Sequence, residues 1–336
     1  MVLLRRSMAA IAACMIAAGA TSTCSAPASA QTSGQTSGQT WPSRTVKVVV
    51  PYAPGGVTDT MARVTADRLG KMLGQTFFIE NKPGAGGAIG VDYALHSPPD
   101  GYTILFVGST LFTVLPLAQK VSYEPLKDFV PISITGTNGM VFIAAKDAPY
   151  ATLREFIDYA RAHQGKITYS SGGPATNNHL PMAWLGGLEK LDMVHVPFRG
   201  GQQALQAVLA KSVDVHFGNS SDLIEPVRSG EVRALAVSTK ARMPQLPDVP
   251  TVAETIPGFA YVAWNGYAAA GAVPEEVAER LVPALQTIAK DPEVIKVFGN
   301  LGIESTGTTQ QDAIASIRKD MPIYSQIVDM AGVRLK

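Results

Sequence analysis

Residues 50–63, VPYAPGGVTDTMAR, follow the apolar and β-branched run Val46–Val50. The run predicts a buried strand, Pro-Gly-Gly interrupts it, and the pattern from Thr58 to Leu73 predicts a helix. The first N–H groups of a helix have no partner within the helix, and its dipole is positive at that end. The stretch therefore predicts a strand–turn–helix unit whose turn can hold an anion.

The same alternation of short β-branched runs and amphipathic segments continues from Trp41 to the C-terminus. It indicates strands crossed by helices, an α/β fold. From Val273 onward the pattern is almost entirely helical, and we expect this part to pack back on the first lobe, making that lobe discontinuous in sequence.

The N-terminus has the features of an export signal. Arg5 and Arg6 precede an apolar stretch, residues 8–20, and Ala28-Ser29-Ala30 fits a cleavage site. We predict a cleaved signal peptide at residues 1–30 and a flexible linker at 31–41, which contains the repeat TSGQTSGQT. A lipid anchor at Cys14 is the alternative.

Composition excludes several classes of protein. Both cysteines, Cys14 and Cys24, lie in the predicted leader, so the mature chain has no thiol for a disulfide, a nucleophile or a metal. Loss of the leader removes two of the 28 basic residues and none of the 27 acidic ones, leaving a net charge of −1. No basic face for nucleic acid is expected.

The sequence lacks the common enzyme signatures. In Gly84–Gly90 the third glycine of G-x-G-x-x-G is replaced by Ile89, and neither a P-loop nor G-x-S-x-G is present. The five histidines show no metal-ligand spacing. Ser109, Ser171 and Asp59 have no evident histidine partner, so we expect no enzyme, no metal and no cofactor.

Three Gly-rich turns each follow a predicted strand and are each expected to open a helix: residues 54–59, 81–87 and 170–177. One such turn needs no explanation beyond backbone geometry. Three turns with Ser, Thr and Asn between the glycines favour an anion pocket made of backbone N–H groups and neutral side chains.

Other side chains leave alternatives open. Asp59 either caps the helix or accepts a hydrogen bond from the solute, because a carboxylate there repels an anion. Arg199 either clamps a second carboxylate or is a solvated loop residue. Among the aromatics Tyr52, Phe112, Phe198 and Trp264, Tyr52 is the one expected at the mouth of the site.

The chain from about Trp41 to the C-terminus resembles the Bug-type receptors, the extracytoplasmic solute-binding proteins of tripartite tricarboxylate transport systems. The resemblance rests on an ordered series of matches: Trp41-Pro42, residues 50–59, 80–87 and 99–103, Ser171-Gly172, His179-Leu180, residues 196–200 and 249–254.

The resemblance implies a type II periplasmic-binding-protein fold, two α/β lobes joined by two crossover strands with a ligand cleft between them. Domain I is expected to comprise residues 42–139 and 259–336, and domain II residues 140–258. The chain departs from the family pattern at Pro174, where a small polar residue is usual. That proline lacks an N–H donor, which leaves the contacts of the second lobe open.

The resemblance also implies which residues bind ligand. One carboxylate of the ligand is expected on the first turn, and hydroxyls and amides from the opposite lobe complete the site. The predicted ligand-binding set is Tyr52, Pro54, Gly55, Gly56, Val57, Thr58, Asp59, Gly84, Ala85, Gly86, Gly108, Ser109, Thr110, Ser171, Gly172, Gly173, Thr176, Asn177, Phe198, Arg199 and Asn219.

The expected function is capture of a small mono-, di- or tricarboxylate, an aromatic acid or an amino acid by closure of the two lobes. The receptor is expected to be a periplasmic monomer that delivers its ligand to the two integral membrane subunits of a transporter. A sensory protein that docks on a signalling receptor remains an alternative, and an enzyme on the same scaffold is a weaker one.

Overall fold

The computed structural model describes residues 40–271 and 273–335. The predicted signal peptide and residues 31–39 of the predicted linker lie outside the described residues. Trp41, assigned to the end of that linker, is buried against Phe77 and Tyr102, and its backbone N–H donates to Glu276 Oε1 at 2.8 Å. Trp41 therefore belongs to the folded chain and not to a tether.

The first part of the chain alternates strands and helices up to Asn138. Its elements are β1 (Val46–Val50), α1 (Val57–Leu73), β2 (Phe77–Asn81), α2 (Ala88–Leu95), β3 (Thr103–Gly108), α3 (Ser109–Thr113), α4 (Leu115–Ala118), α5 (Pro125–Asp128) and β4 (Phe129–Asn138).

The middle part has the same alternation. It contains β5 (Met140–Ala145), α6 (Leu153–Ala162), β6 (Thr168–Ser171), α7 (Leu180–Glu189), β7 (Val194–Pro197), α8 (Gly201–Leu209), β8 (Val215–Asn219), α9 (Ser220–Arg228) and β9 (Val232–Val237). The last part contains β10 (Ala263–Ala270), α10 (Glu275–Ile288), α11 (Pro292–Asn300), β11 (Ile303–Ser305) and α12 (Gln310–Met330).

The strands form two mixed sheets, which define two lobes. The first lobe has six strands in the order β11-β4-β10-β3-β1-β2, with β1 parallel to β2 and β3 and with β10 antiparallel to β3 and β4. The second lobe has five strands in the order β7-β6-β8-β5-β9. The chain crosses between the lobes at Gly139 and again between β9 and β10.

Strand β1 is buried on both faces of its sheet. Val46, Val48 and Val50 pack into the same core as residues of α1, whereas Val49 packs on the other face with residues of α2 and α3. A strand covered by helices on both faces needs a continuous apolar run and not an alternating one. The run Val46–Val50 supplies it.

Helix α12 packs on both lobes. Ala313 and Ile317, in its first half, join the core around β3 and β10 of the first lobe. Tyr324 and Ile327, in its second half, join the core of the second lobe. The expectation that the C-terminal part packs back on the first lobe therefore describes only the first half of this helix.

No helix within residues 40–271 and 273–335 has both the length and the apolar character that a membrane span requires.

Candidate functional site

The two lobes enclose a cleft with a cavity volume of about 830 Å³. The first lobe contributes the turn between β1 and α1 and the junction of β3 with α3. The second lobe contributes residues 174–178 and the starts of α8 and α9, and the crossovers contribute Asn138 and residues 263–265. The cleft is thus formed where strands end and helices begin, a usual place for ligands in α/β folds.

The turn between β1 and α1 supplies backbone donors. Gly55 has φ +90°, a value that favours glycine, and Gly56 is the N-cap of α1 with extended backbone and no side chain to cap the helix. Among the described residues, no side-chain acceptor takes the first-turn N–H groups of Val57 and Thr58. These groups lie at the positive end of a 17-residue helix, in the lining of the cleft.

Asp59 is the buried acid of this turn, with 2% of its surface exposed. Its carboxylate accepts hydrogen bonds from Gly55 N–H at 2.8 Å, from Arg63 at 2.9 and 3.0 Å, and from Asn81 Nδ2 at 2.8 Å. Burial disfavours the charge of Asp59, but these donors outweigh it and hold its pKa below the usual range. The carboxylate therefore fixes the turn, and its charge is paired with Arg63.

Polar side chains of the first lobe surround the turn. Thr58 Oγ1 donates to Asn265 Oδ1 at 2.8 Å, and the Tyr52 hydroxyl lies 3.5 Å from Thr110 Oγ1. Burial raises the pKa of Tyr52, so this hydroxyl stays protonated and neutral. The first-lobe wall is therefore uncharged apart from the Asp59–Arg63 pair.

Two buried polar atoms in the cleft lining lack partners. Ser109 Oγ and Trp264 Nε1 are buried, and neither makes a hydrogen bond of acceptable geometry with another described residue. Tyr324 lies near Ser109 and Asp320 lies near Trp264, but neither contact has the geometry of a hydrogen bond. An unsatisfied buried polar atom costs about 1–3 kcal/mol, which favours a role in binding solute or water.

The prediction that the third Gly-rich turn, residues 170–177, opens a helix is wrong. Helix α7 begins only at Leu180, and residues 172–179 form a loop in which Ala175 has φ +60°. Thr176 Oγ1 donates to Gly173 O at 2.6 Å and thereby stabilises the loop. This part of the second lobe consequently offers loop backbone and amide side chains to the cleft and not a helix N-terminus.

A histidine partner for Ser171 is present, contrary to the inference from sequence. Ser171 Oγ lies 2.6 Å from His195 Nε2 and accepts the Gly173 N–H at 3.0 Å. Ser171 is completely buried, however, and is not part of the cleft lining. The His195 ring stacks on His179 at 4.1 Å between ring centroids, so this cluster supports the loop from behind.

The predicted ligand-binding residues separate into two groups. Those that line the cleft are Tyr52, Gly55, Gly56, Val57, Thr58, Asp59, Gly86, Gly108, Ser109, Thr110, Thr176, Asn177 and Asn219. Those outside the lining are Pro54, Gly84, Ala85, Ser171, Gly172, Gly173, Phe198 and Arg199. Phe198 lines a separate, shallow cavity on the second lobe, and Arg199 is exposed.

Sequence reasoning missed several polar residues of the cleft. They are Gln119, Asn138, Asn178, Gln202, Asp222 and Asn265. Asn138 ends β4 beside the first crossover, and Asn265 lies in β10 just after the second. A polar residue next to each crossover could therefore have indicated these two positions. Asp222 stands in the first turn of α9 and gave no comparable signal.

The cleft lining is rich in amides and poor in cations. Among the described residues, its lining includes no Lys, Arg or His. Its acids are Asp59, which is paired with Arg63, and Asp222. An anionic group in this cleft must therefore be held by backbone N–H groups, hydroxyls and amides.

Two α/β lobes with a polar cleft between them define a solute-binding protein of the periplasmic binding-protein type. The family model described as "Tripartite tricarboxylate transporter family receptor" matches residues 61–333. The chain belongs to this family. It is similar to the periplasmic binding protein BugD, with 32% identity, a TM-score of 0.76 and coverage of 88% of this chain and 100% of BugD.

Two similar structures contain dicarboxylates. A protein of R. palustris with adipate is 27% identical, with a TM-score of 0.79 and coverage of 88% of this chain and 99% of that one. MatC from Rhodopseudomonas palustris with bound malate is 31% identical, with a TM-score of 0.75 and coverage of 86% of this chain and all of MatC (100%).

Proposed function

We propose that this protein is a periplasmic receptor that closes its two lobes on a small carboxylate and delivers it to the membrane subunits of a tripartite transporter. The proposal includes removal of the leader at residues 1–30 and action as a monomer without turnover of the ligand. The carboxylates bound by the R. palustris relatives support the ligand class.

One observation carries the proposal: the N–H groups of Val57 and Thr58 line the cleft without a side-chain acceptor, while Asp59 beside them is neutralised by Arg63. A carboxylate placed on these groups gains charge-assisted hydrogen bonds and the helix dipole. Closure of the lobes follows if the ligand binds the closed form more tightly than the open form.

The first experiment is a thermal-shift and calorimetric screen of the mature protein against mono-, di- and tricarboxylates, aromatic acids and amino acids. A ligand present at about 100 times its Kd stabilises the folded state by about 2.7 kcal/mol. We expect at least one carboxylate to raise Tm and to be recovered chemically unchanged. If none binds, or if the bound compound is converted, the proposed function is wrong.

The second experiment removes a single donor. Val57 is the first residue of α1, where proline is tolerated, and Gly56 before it has the extended backbone that a following proline requires. Val57→Pro should keep the fold and weaken carboxylate binding by about tenfold, because it deletes one charge-assisted hydrogen bond. Gln310→Pro is the matched control, since Gln310 is the first residue of α12 and lies outside the cleft lining.

A further inference from the structure

Asp222 is an acid in the cleft for which the described residues provide no ion-pair partner. The other acid of the lining, Asp59, is bound by Arg63 at 2.9 Å. Because no described Lys, Arg or His lines the cleft, nothing in the lining compensates Asp222. A cleft proposed to take an anion thus carries a negative charge of its own.

The surroundings of Asp222 are polar but neutral. Ser221 Oγ donates to Asp222 Oδ1 at 3.3 Å, and the side chains of Asn219 and Gln202 lie near the carboxylate. Burial raises the pKa of Asp222 in spite of these donors.

The Asp222 carboxylate lies beside a glycine of the cleft lining. At Gly201, the first residue of α8, an added Cβ would lie 3.8 Å from Asp222 Oδ2 and 3.6 and 3.7 Å from Asn178 Oδ1 and Nδ2. All three residues line the cleft. Because Asn178 Nδ2 already donates to Phe217 O at 3.1 Å, Asn178 Oδ1 is the acceptor that lies with the Asp222 carboxylate beside the same part of the cleft at Gly201, an arrangement suited to a group with several N–H donors.

We infer that Asp222 is a specificity-determining residue that favours ligands bearing an ammonium group in addition to their carboxylate. The inference rests on the proposed function, because the turn between β1 and α1 must hold the carboxylate of the same ligand. The ammonium group donates to Asp222 and supplies the missing positive charge. A dicarboxylate without such a donor leaves Asp222 uncompensated and adds two further negative charges.

The test uses matched ligands that differ only in the amino group. Pairs on one carbon skeleton are succinate and aspartate, glutarate and glutamate, adipate and 2-aminoadipate, butyrate and 4-aminobutyrate. Malate, which has a hydroxyl in place of the amino group of aspartate, is expected to fall between succinate and aspartate. Calorimetry on the mature wild-type protein should show at least about tenfold tighter binding of the aminated member of the best pair.

Asp222→Asn should remove most of this preference by weakening the aminated ligand about tenfold while changing its unaminated partner by less than about threefold. Asp248→Asn, which removes an exposed acid of the second lobe outside the cleft, is the matched control and should change neither. An unchanged ratio in Asp222→Asn would overturn the inference.

The outcomes separate this inference from the proposed function. If unaminated carboxylates bind the wild-type protein as well as or better than their aminated partners, the role of Asp222 is refuted and the receptor function stands. If no carboxylate of either kind binds, both are refuted. The wild-type comparison decides the question even if Asp222→Asn does not fold.

Discussion

Arg63 and Asp59, one turn apart on α1, form a two-point ion pair: Arg63 Nε donates to Asp59 Oδ2 at 2.9 Å and its terminal nitrogen donates to Asp59 Oδ1 at 3.0 Å. Asp59 is buried, whereas the Arg63 side chain is 51% exposed. The pair explains how an acid can stand in the first turn of an anion-binding helix, since the guanidinium cancels its charge and leaves the helix dipole to act on the ligand.

Loss of the Arg63 charge should therefore weaken carboxylate binding. Arg63→Gln leaves Asp59 uncompensated near the ligand, and we predict an increase in Kd of about tenfold at low salt, decreasing as ionic strength rises. Arg63→Lys should retain most of the affinity. Adding Asp59→Asn to Arg63→Gln should restore it; a double variant that still binds weakly would show that Arg63 acts through packing and not through charge.

The buried histidines predict how stability depends on pH. Burial, with His195 nearby, lowers the pKa of His179 to about 4, and burial lowers that of His216 to about 4, against 6.5 for an ordinary histidine. Below pH 6.5 the unfolded chain therefore binds protons that the folded chain does not. The contribution of these two histidines to stability is fully present above pH 6.5 and is lost as the pH falls toward 4.

Urea unfolding between pH 7 and pH 5 measures this effect. Each of the two histidines should contribute a slope of up to about 1.4 kcal/mol per pH unit in the free energy of unfolding. His216→Asn should reduce this slope by up to about 1.4 kcal/mol per pH unit, the contribution of one proton, whatever the substitution does to the free energy of unfolding at pH 7. A free energy of unfolding that stays constant over this range would contradict the assignment of neutral, buried imidazoles.

Gly139 separates the sheets at the first crossover, and an added Cβ there would lie 2.3 Å from Thr239 Cγ2 of the returning chain. Gly139→Ala should therefore destabilise the protein by about 1–3 kcal/mol through overpacking. Thr239→Ser removes the methyl group that clashes but keeps the hydroxyl. Combined with Gly139→Ala, it should recover most of the lost free energy of unfolding, measured by chemical denaturation. If it does not, the contact with the Thr239 methyl group is not the cause of the destabilisation.

The sequence was sufficient for the features that depend on local pattern. The run Val46–Val50 and the following Pro-Gly-Gly correctly indicated β1 and the start of α1 within one residue. The third turn was misassigned because its glycines and Thr176 resemble a helix opening, whereas the hydroxyls of Ser171 and Thr176 fold it into a loop. β11 was missed because its three residues are too few to show an alternating pattern and are ordered by long-range pairing with β4.

The second-lobe and crossover residues of the cleft could not be found from local pattern. Asn138, Asn265 and Asp222 are far apart in the chain, and the two crossovers bring them to one cavity. The His195 partner of Ser171 was hidden for the same reason, because β6 and β7 pair in parallel and place these residues near each other across 24 positions of sequence.

The most direct test of the carboxylate site is a crystal structure of the mature protein with the tightest-binding carboxylate from the screen. We predict a ligand carboxylate oxygen within about 2.7–3.2 Å of the backbone nitrogen of Val57 or Thr58, with both lobes in contact with the ligand. A carboxylate bound elsewhere, or held by Arg199 instead of the turn between β1 and α1, would contradict it.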